Sequence, residues 1–588
     1  MSSVAAETKP VLIVGAGPAG LVAALSLAKH GVPVRIVDKL PAFHHATRGT
    51  GTQPRSFEIY HFLGLLEDYR RAAHPLPLMR AYKLPGGTEP AKTWNLFERK
   101  PATPDRPIVC PVSLIALYLY DSKPYLGQLG YPLVALGQYR LEGIIRDHLA
   151  KHGVQVELAT ELTQLEQDEG GVIATLKKHD TEVEEARVAY VIGADGGRGV
   201  TRKLIGAVFE GQTREYDGHV WADVEVEGLS PDFWHVWSQP GRFTVTMRAT
   251  GDGDGQFHVG IVGQNFDPID LTDTEKFVNF IYENTDRRDL KFGKFSSMTY
   301  WKPKMRMVNK LRSGRVFLVG DAAHIHSPTG GQGLNTSIQD SFNLAWKLAL
   351  VYKGIASSDL LSSFESERLP VIASMLAITT ALYERLIANK DKPEDSKVVE
   401  STADMSGFLH WQNSALAQLD LNYRWSPIVY DVRGNGGLDD AALKARAYTG
   451  YPGEPVHAGD RAPDAPGLID LEGKETRLHD IFKPTMHTFL VFTSEVGNAE
   501  KDVDSIIQAV QTLPQGTFHV AILGRHNAPA HRDGVVTYKD GAGHAFRLYS
   551  IEEGKVTIVA VRPDGYIGAF VYDASGLQTY FSRLNLQL

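Results

Sequence analysis

The 588-residue sequence predicts an α/β architecture: a Rossmann-like dinucleotide-binding domain carrying an inserted, mostly antiparallel β-sheet, followed by a smaller α/β domain. Three observations predict it. A glycine-rich turn near the N-terminus follows an apolar run and opens a helix of small residues. Two later apolar runs, 189–192 and 315–319, each lead within a few residues to an aspartate. After Gly206 the hydrophobic period changes to strict alternation, and helical periodicity returns from Leu334.

The first strand is Val11-Leu12-Ile13-Val14, followed by Gly15-Ala16-Gly17-Pro18-Ala19-Gly20 and a helix from Leu21 to Lys29. Strand, turn and helix in this order are the context of a dinucleotide fingerprint. Gly15 allows the tight turn, Gly17 lets backbone approach a pyrophosphate, and Gly20 lets helix and strand pack closely; the diphosphate then sits on the helix N-terminal amides. A second strand, Val34 to Val37, ends at Asp38, placed to accept from an adenosine ribose, with Lys39 beside it. Alone, this fingerprint leaves FAD, NAD and an empty turn open. Asp195-Gly196, after the strand 189–192, and Asp321, after the strand 315–319, add two acids in the crevice where open α/β sheets bind ligands. The three segments together point to a flavin. The loop Gly330-Gly331-Gln332-Gly333 carries too little side chain to pack a core and runs into a helix near Leu334. Its free amides would stabilise negative charge on a reduced isoalloxazine by roughly 0.3–2 kcal/mol.

Further along, 138–149 reads as an amphipathic helix with Leu141, Ile144, Ile145 and Leu149 on one face. Stretches 220–226, 243–248 and 257–262 alternate as half-buried strands of a separate sheet, with Gly251 to Gly255 as a hairpin loop. Helical patterns occupy 334–352 and 369–387, and the polar, acidic stretch 394–404 is expected to be mobile. The organisation read from this is a discontinuous nucleotide-binding domain (1–206 and 305–440), a sheet domain (207–304, with part of 75–135) and a final domain (456–588) beyond the Pro/Gly-rich join 450–455. That last domain looks thioredoxin-like: strand 488–492, helix 499–513, strand 517–523 and a hairpin at Arg562-Pro563-Asp564-Gly565, without a CxxC pair.

Composition excludes several classes. A net charge of −8 with no basic stripe argues against nucleic acid. Cys110 is the only cysteine, which excludes an internal disulfide and a cysteine metal cluster and makes a reducing cytoplasm the expected compartment. The apolar run 11–27 is broken by glycines and a proline, so it reads as strand and helix, with no signal peptide or membrane span.

The combination of the three segments, and above all the stretch from Gly320-Asp321-Ala322-Ala323-His324 to Gly333-Leu334-Asn335, resembles the class A flavoprotein monooxygenases, the group of para-hydroxybenzoate hydroxylase and phenol hydroxylase. The resemblance implies an FAD-binding domain of para-hydroxybenzoate hydroxylase type, NADPH or NADH as a transient co-substrate, O2, a small phenolic substrate hydroxylated through a C4a-hydroperoxyflavin, and a homodimer formed with help from the C-terminal domain. It places Asp321 on flavin ribityl or ribose hydroxyls, Pro328 beside the ring as a catalytic neighbour, and Gly331, Gly333, Leu334 and Asn335 near the carbonyl edge. It carries further flavin contacts to Arg48, Gln138 and Leu162. Two departures stand out: Gly199 replaces a usual serine, and the stretch 48–55 lacks the acid found in phenol hydroxylase relatives.

His258, in an alternating strand, is the candidate for contact with a substrate oxygen, because neutral imidazole both accepts and donates near pH 7; a lone strand histidine is also a common structural residue. Trp234, His235 and Trp237 with Arg242 and Arg248 could form an aromatic pocket with an anion anchor, or a core with solvated charges. His324 and His326 lack the acids or cysteines of a metal set, so no metal is expected. Oxygen insertion beside a ketone or at a dearomatised ring, and flavin binding without oxygenase activity, remain alternatives.

Overall fold

Val11–Val14 is wholly buried and pairs in parallel with Val34–Val37 on one side and Tyr190–Gly193 on the other, as expected for a strand covered on both faces. The computed structural model describes residues 9–94, 134–214, 217–239, 241–264, 266–327, 329–387, 414–434, 436–493, 499–527 and 529–587. Cys110, much of 75–135, Pro328 and the stretch 394–404 lie outside the described residues. The first sheet has six strands in the order Arg312–Ser313, Val316–Leu318, Tyr190–Gly193, Val11–Val14, Val34–Val37 and Val156–Glu157. Two buried helices, Pro18–Lys29 and Gly333–Tyr352, pack together against it. Ser362–Ile387 forms one helix, longer at its start than the sequence pattern suggested, with Pro370 inside.

A seven-stranded sheet forms the second layer. Its order is Lys291–Trp301, Asp217–Glu227, Gln256–Gln264, Phe243–Ala249, Phe233–Gln239, Leu78–Tyr82 and Pro90–Trp94. The first five are antiparallel neighbours, whereas Leu78–Tyr82 joins Phe233–Gln239 in parallel. One face is apolar: Val220, Ala222, Val224, Val245, Met247, Phe257, Val259 and Ile261 pack into a separate core under the helix Thr274–Thr285. On the opposite face the same strands carry His219, Trp221, Asp223, Thr246, Arg248 and His258, because side chains alternate along a strand. A small sheet of Phe209–Thr213, Lys304–Val308 and His324–Ile325 joins this layer to the nucleotide-binding part.

The C-terminal part is an eight-stranded mixed sheet with His487–Thr493 near its middle, parallel to Phe518–Gly524 and antiparallel to Thr557–Val561. Its edge strand, Tyr430–Asp431, comes from before the Pro/Gly-rich join. The turn 562–565 enters the first domain: Arg55 donates Nη2 to the Asp564 carbonyl at 2.5 Å, and Asn343 donates to Asp564 Oδ2 at 3.1 Å. Among the described residues no helix is long and apolar enough to cross a membrane.

Candidate functional site

The glycine turn behaves as its spacing demands. Gly15 has φ +102°, and a Cβ there or at Gly20 would overlap backbone, of Ala194 and Gly15 respectively. Gly17, the N-cap of Pro18–Lys29, has nothing within 4 Å of a Cβ position, and no side chain caps the helix. The space beside Ala16, Pro18 and Ala19 is thus open to an anion at a helix start. Asp38 accepts the Ala16 N–H at 2.8 Å through Oδ2 and the Leu40 N–H at 2.9 Å through Oδ1. Each carboxylate oxygen keeps a lone pair for a ribose hydroxyl. Lys39 is exposed beside it.

Asp195 accepts from the Thr201 N–H and hydroxyl, both at 2.9 Å, through Oδ2, while Oδ1 is buried without a partner among the described residues. A Cβ at Gly199 would overlap the Asp195 carboxylate, so a serine there would force Asp195 to shift, and Thr201 supplies the hydroxyl on Asp195. Gly196 has φ +75° and open space around it.

Asp321 is solvent-accessible yet hemmed in by protein. That crowding raises its carboxyl above the ordinary range against the pull of His324 and Arg48. Asp340 fixes this loop from behind, accepting from Gly320 N at 3.1 Å and Arg368 Nε at 2.7 Å, with His324 Nε2 at 2.9 Å. His324 therefore belongs to a buried hydrogen-bonded cluster. His326 packs on Gly333, where a Cβ would overlap its ring. Burial pushes His326 down to about 4.

Gly333–Tyr352 also starts without a side-chain cap, leaving the amides of Gly333 and Leu334 at the positive end of a 20-residue helix. The Asn335 side chain is engaged by protein. Its Oδ1 accepts from Gln53 N at 2.8 Å and its Nδ2 donates to the Gly51 and Gly331 carbonyls at 2.9 and 2.7 Å, stitching two loops together. Arg48 is exposed with φ +43°. Next to it, Gly49 lies between Gln138 and Leu334, bringing three predicted flavin neighbours to one place. Leu162 is 1% exposed and points into the core, so only its backbone could meet a ligand.

The polar face of the seven-stranded sheet lies against this loop. His258 Nδ1 is 2.6 Å from Asp223 Oδ1 across neighbouring strands. Asp223 Oδ2 accepts from Thr47 N and Ser297 Oγ, both at 2.8 Å. Arg248, directly opposite His258 on the next strand, donates Nη2 to Thr50 Oγ1 at 2.7 Å. Its guanidinium is 5.2 Å from the Trp234 ring, and Trp221 stacks on His258 with centroids 5.1 Å apart. Trp234 Nε1 and Thr246 Oγ1 are buried without partners among the described residues. Asp223 is held down at about 2 by His258, the Thr47 amide and Ser297 against its burial. Burial lowers His258 despite Asp223, and lowers Arg248 to about 10.

His235 and Trp237 are placed on the other face. His235 Nδ1 is 2.6 Å from the Tyr82 hydroxyl, and Nε2 is 2.7 Å from the Ser230 carbonyl. Trp237 is wholly buried in the apolar core and donates Nε1 to the Gly87 carbonyl at 2.8 Å. Strand parity separates them from Arg248, which pairs with Trp234 instead. Sequence reasoning missed Trp221, Asp223, Thr47 and Thr50. The alternation His219-x-Trp221-x-Asp223 against Val220-x-Ala222-x-Val224 was the available signal for two of them.

This fold and site define an FAD-binding protein: two uncapped helix starts, an open glycine turn and acids at three strand ends fit a flavin dinucleotide. Comparison with known proteins agrees. The FAD binding domain family matches residues 8–379, and the phenol hydroxylase C-terminal dimerisation domain matches 498–587. A flavin-dependent monooxygenase of Mycobacteroides abscessus is 30% identical over 98% of this chain and 99% of its own. Pentachlorophenol 4-monooxygenase of Sphingobium chlorophenolicum is 30% identical over 95% and 93%. The flavin-dependent monooxygenase PieE, solved with FAD and substrate, superposes with a TM-score of 0.76 at 23% identity over 98% of this chain and 99% of its own. The chain belongs to the FAD-dependent monooxygenases of the aromatic hydroxylase family.

Proposed function

We propose that this enzyme hydroxylates a phenolic aromatic compound, with FAD as resident cofactor, NADPH or NADH as transient reductant and O2 as oxidant. In this reading the seven-stranded sheet is the substrate domain, and the C-terminal part is a thioredoxin-like scaffold that supports a homodimer. One observation carries it: Arg248 and Asp223 bond to Thr50 and Thr47, setting the polar face of the sheet against the loop that holds Arg48 and Gly49. The name pentachlorophenol 4-monooxygenase, borne by a relative over nearly the whole chain, supports a phenol as substrate.

Bound FAD, once reduced, supplies activated oxygen. The protein binds and orients the ring and moves its proton. His258, whose Nδ1 faces Asp223, accepts the phenol proton at Nε2, which enriches the ring in electrons. Trp221 and Trp234 offer apolar surfaces for the ring, and Arg248 attracts the oxygen that becomes negative. The buried sheet keeps water away. One aromatic C–H becomes C–OH, while O2 and NAD(P)H are consumed and water and NAD(P)+ are released.

The test is NADPH and NADH oxidation by the yellow holoenzyme across phenols, phenolic acids and cyclic ketones, with peroxide assayed in parallel. A phenol that raises oxidation without a proportional rise in peroxide, and yields a hydroxylated product, supports the reading. Turnover confined to ketones, or background rates throughout, overturns it.

A further inference from the structure

Asp223 has no role in the sequence-level reading, yet it occupies the centre of the polar face. The Thr47 amide is an obligatory donor and the Ser297 hydroxyl donates, so Asp223 Oδ2 accepts twice. Its other oxygen lies 2.6 Å from His258 Nδ1. An ionised carboxylate satisfies all three contacts only if Nδ1 carries a proton. Trp221 stacks on the imidazole at 10° and limits its rotation. The Thr47 peptide is held from both sides, its N–H by Asp223 and its carbonyl by the Gln138 N–H at 3.0 Å. Arg48 follows immediately.

We propose that Asp223 is the positioning residue of this site: it holds His258 as the Nδ1–H tautomer, which makes Nε2 the acceptor, and ties that ring to the loop between Gln138 and Arg48. The assignment rests on His258 acting as the proton acceptor in the function proposed above. The charged groups around His258 are Asp223 on one neighbouring strand and Arg248 on the other, with Asp252 behind Arg248. Arg248 opposes a second proton on the ring, so the neutral acceptor form is the one Asp223 must orient. An asparagine could accept from Thr47 and Ser297 through its oxygen, but would then turn an N–H donor toward Nδ1 and favour the opposite tautomer.

The experiment uses the FAD-loaded full chain labelled with 15N-histidine, with the His258 signals assigned by their loss in His258→Gln. Two-bond 15N–1H correlations at pH 7 report the tautomer directly. The parent is expected to show neutral His258 as the Nδ1–H form. Asp223→Asn is expected to convert it to the Nε2–H form or a mixture, and Asp223→Glu to restore Nδ1–H. An Nε2–H or imidazolium signal in the parent overturns the proposal, whether or not the variants fold. So does an unchanged tautomer in Asp223→Asn. This readout needs no turnover, so an Nδ1–H ring in an enzyme that accepts no phenol would remove the hydroxylase reading and the catalytic purpose of the ring while keeping the Asp223-set tautomer.

Discussion

Arg562, in the turn of the C-terminal sheet, donates Nη1 to Glu367 Oε1 at 2.7 Å, and neither side chain is exposed. Glu367 also accepts from Lys347 Nζ, Asn343 Nδ2 and Ser426 Oγ, each at 2.7 Å, so two cations compensate its charge and two neutral donors complete its hydrogen bonds. Arg562 follows the strand Thr557–Val561 of the C-terminal sheet and Glu367 lies in the helix Ser362–Ile387, which makes the C-terminal part a built-in support of the first domain.

Arg562→Met leaves Glu367 with a weakened set of partners in a dry interior. Breaking a buried pair by removing one member costs about 3–5 kcal/mol. A drop of that size in urea unfolding, with loss of cooperativity between the two parts, is the expected result; a change within error would show that the pair does not join them.

Gly199→Ser restores the residue usual in similar enzymes. Here it forces a side chain into the Asp195 carboxylate. Overpacking of this kind costs about 1–3 kcal/mol. Thermal denaturation of the variant should show a lower midpoint together with reduced FAD content, and a variant as stable and as yellow as the parent contradicts the packing argument.

Asp321→Ala removes the carboxylate expected to hold flavin hydroxyls. Losing its hydrogen bonds, about 1–2 kcal/mol net, corresponds to roughly tenfold weaker flavin binding. The absorbance ratio of flavin to protein after desalting measures this.

Trp237→Ala and Trp234→Ala should separate. The first empties the core and destabilises by about 3–5 kcal/mol. The second changes the face that carries Arg248 and is expected to uncouple NAD(P)H oxidation from product formation while shifting the melting midpoint far less. Equal effects of the two on stability would refute the assignment of faces.

Acid lability is built in. His219 is 1% exposed, makes no hydrogen bond from either ring nitrogen among the described residues, and is pushed down to about 3 by burial. His487 is likewise pushed down to about 3, and His235 to about 4. The unfolded chain takes up these protons near pH 6.5 and the folded chain does not, so stability falls as pH drops from 6.5 toward 3. Each histidine contributes up to about 1.4 kcal/mol per pH unit within its window. His219→Phe should flatten the pH dependence of the urea midpoint between pH 7 and 5 by one histidine's share, and an unchanged slope would rule His219 out.

The glycine turn was legible because its rules are local. Gly15, Gly17 and Gly20 are read from one strand, turn and helix, and their backbone demands hold whatever surrounds them. The acids at 38, 195 and 321 are read equally well from the strands they follow. The polar face of the seven-stranded sheet was not legible in the same way. Period-2 alternation announced the strands, but strand pairing chose the neighbours: Asp223 meets His258 across 35 residues, Thr47 across 176, and Arg248 meets Thr50 across 198. Parity alone divides Trp234 from His235 and Trp237, while which parity faces the flavin loop depends on where the apolar face finds its core. A flavin-binding α/β enzyme is written in contiguous residues, since turn geometry and hydrophobic period are local properties. Which side chains share the polar face came from the fold alone, since that depends on register and packing between strands distant in the chain.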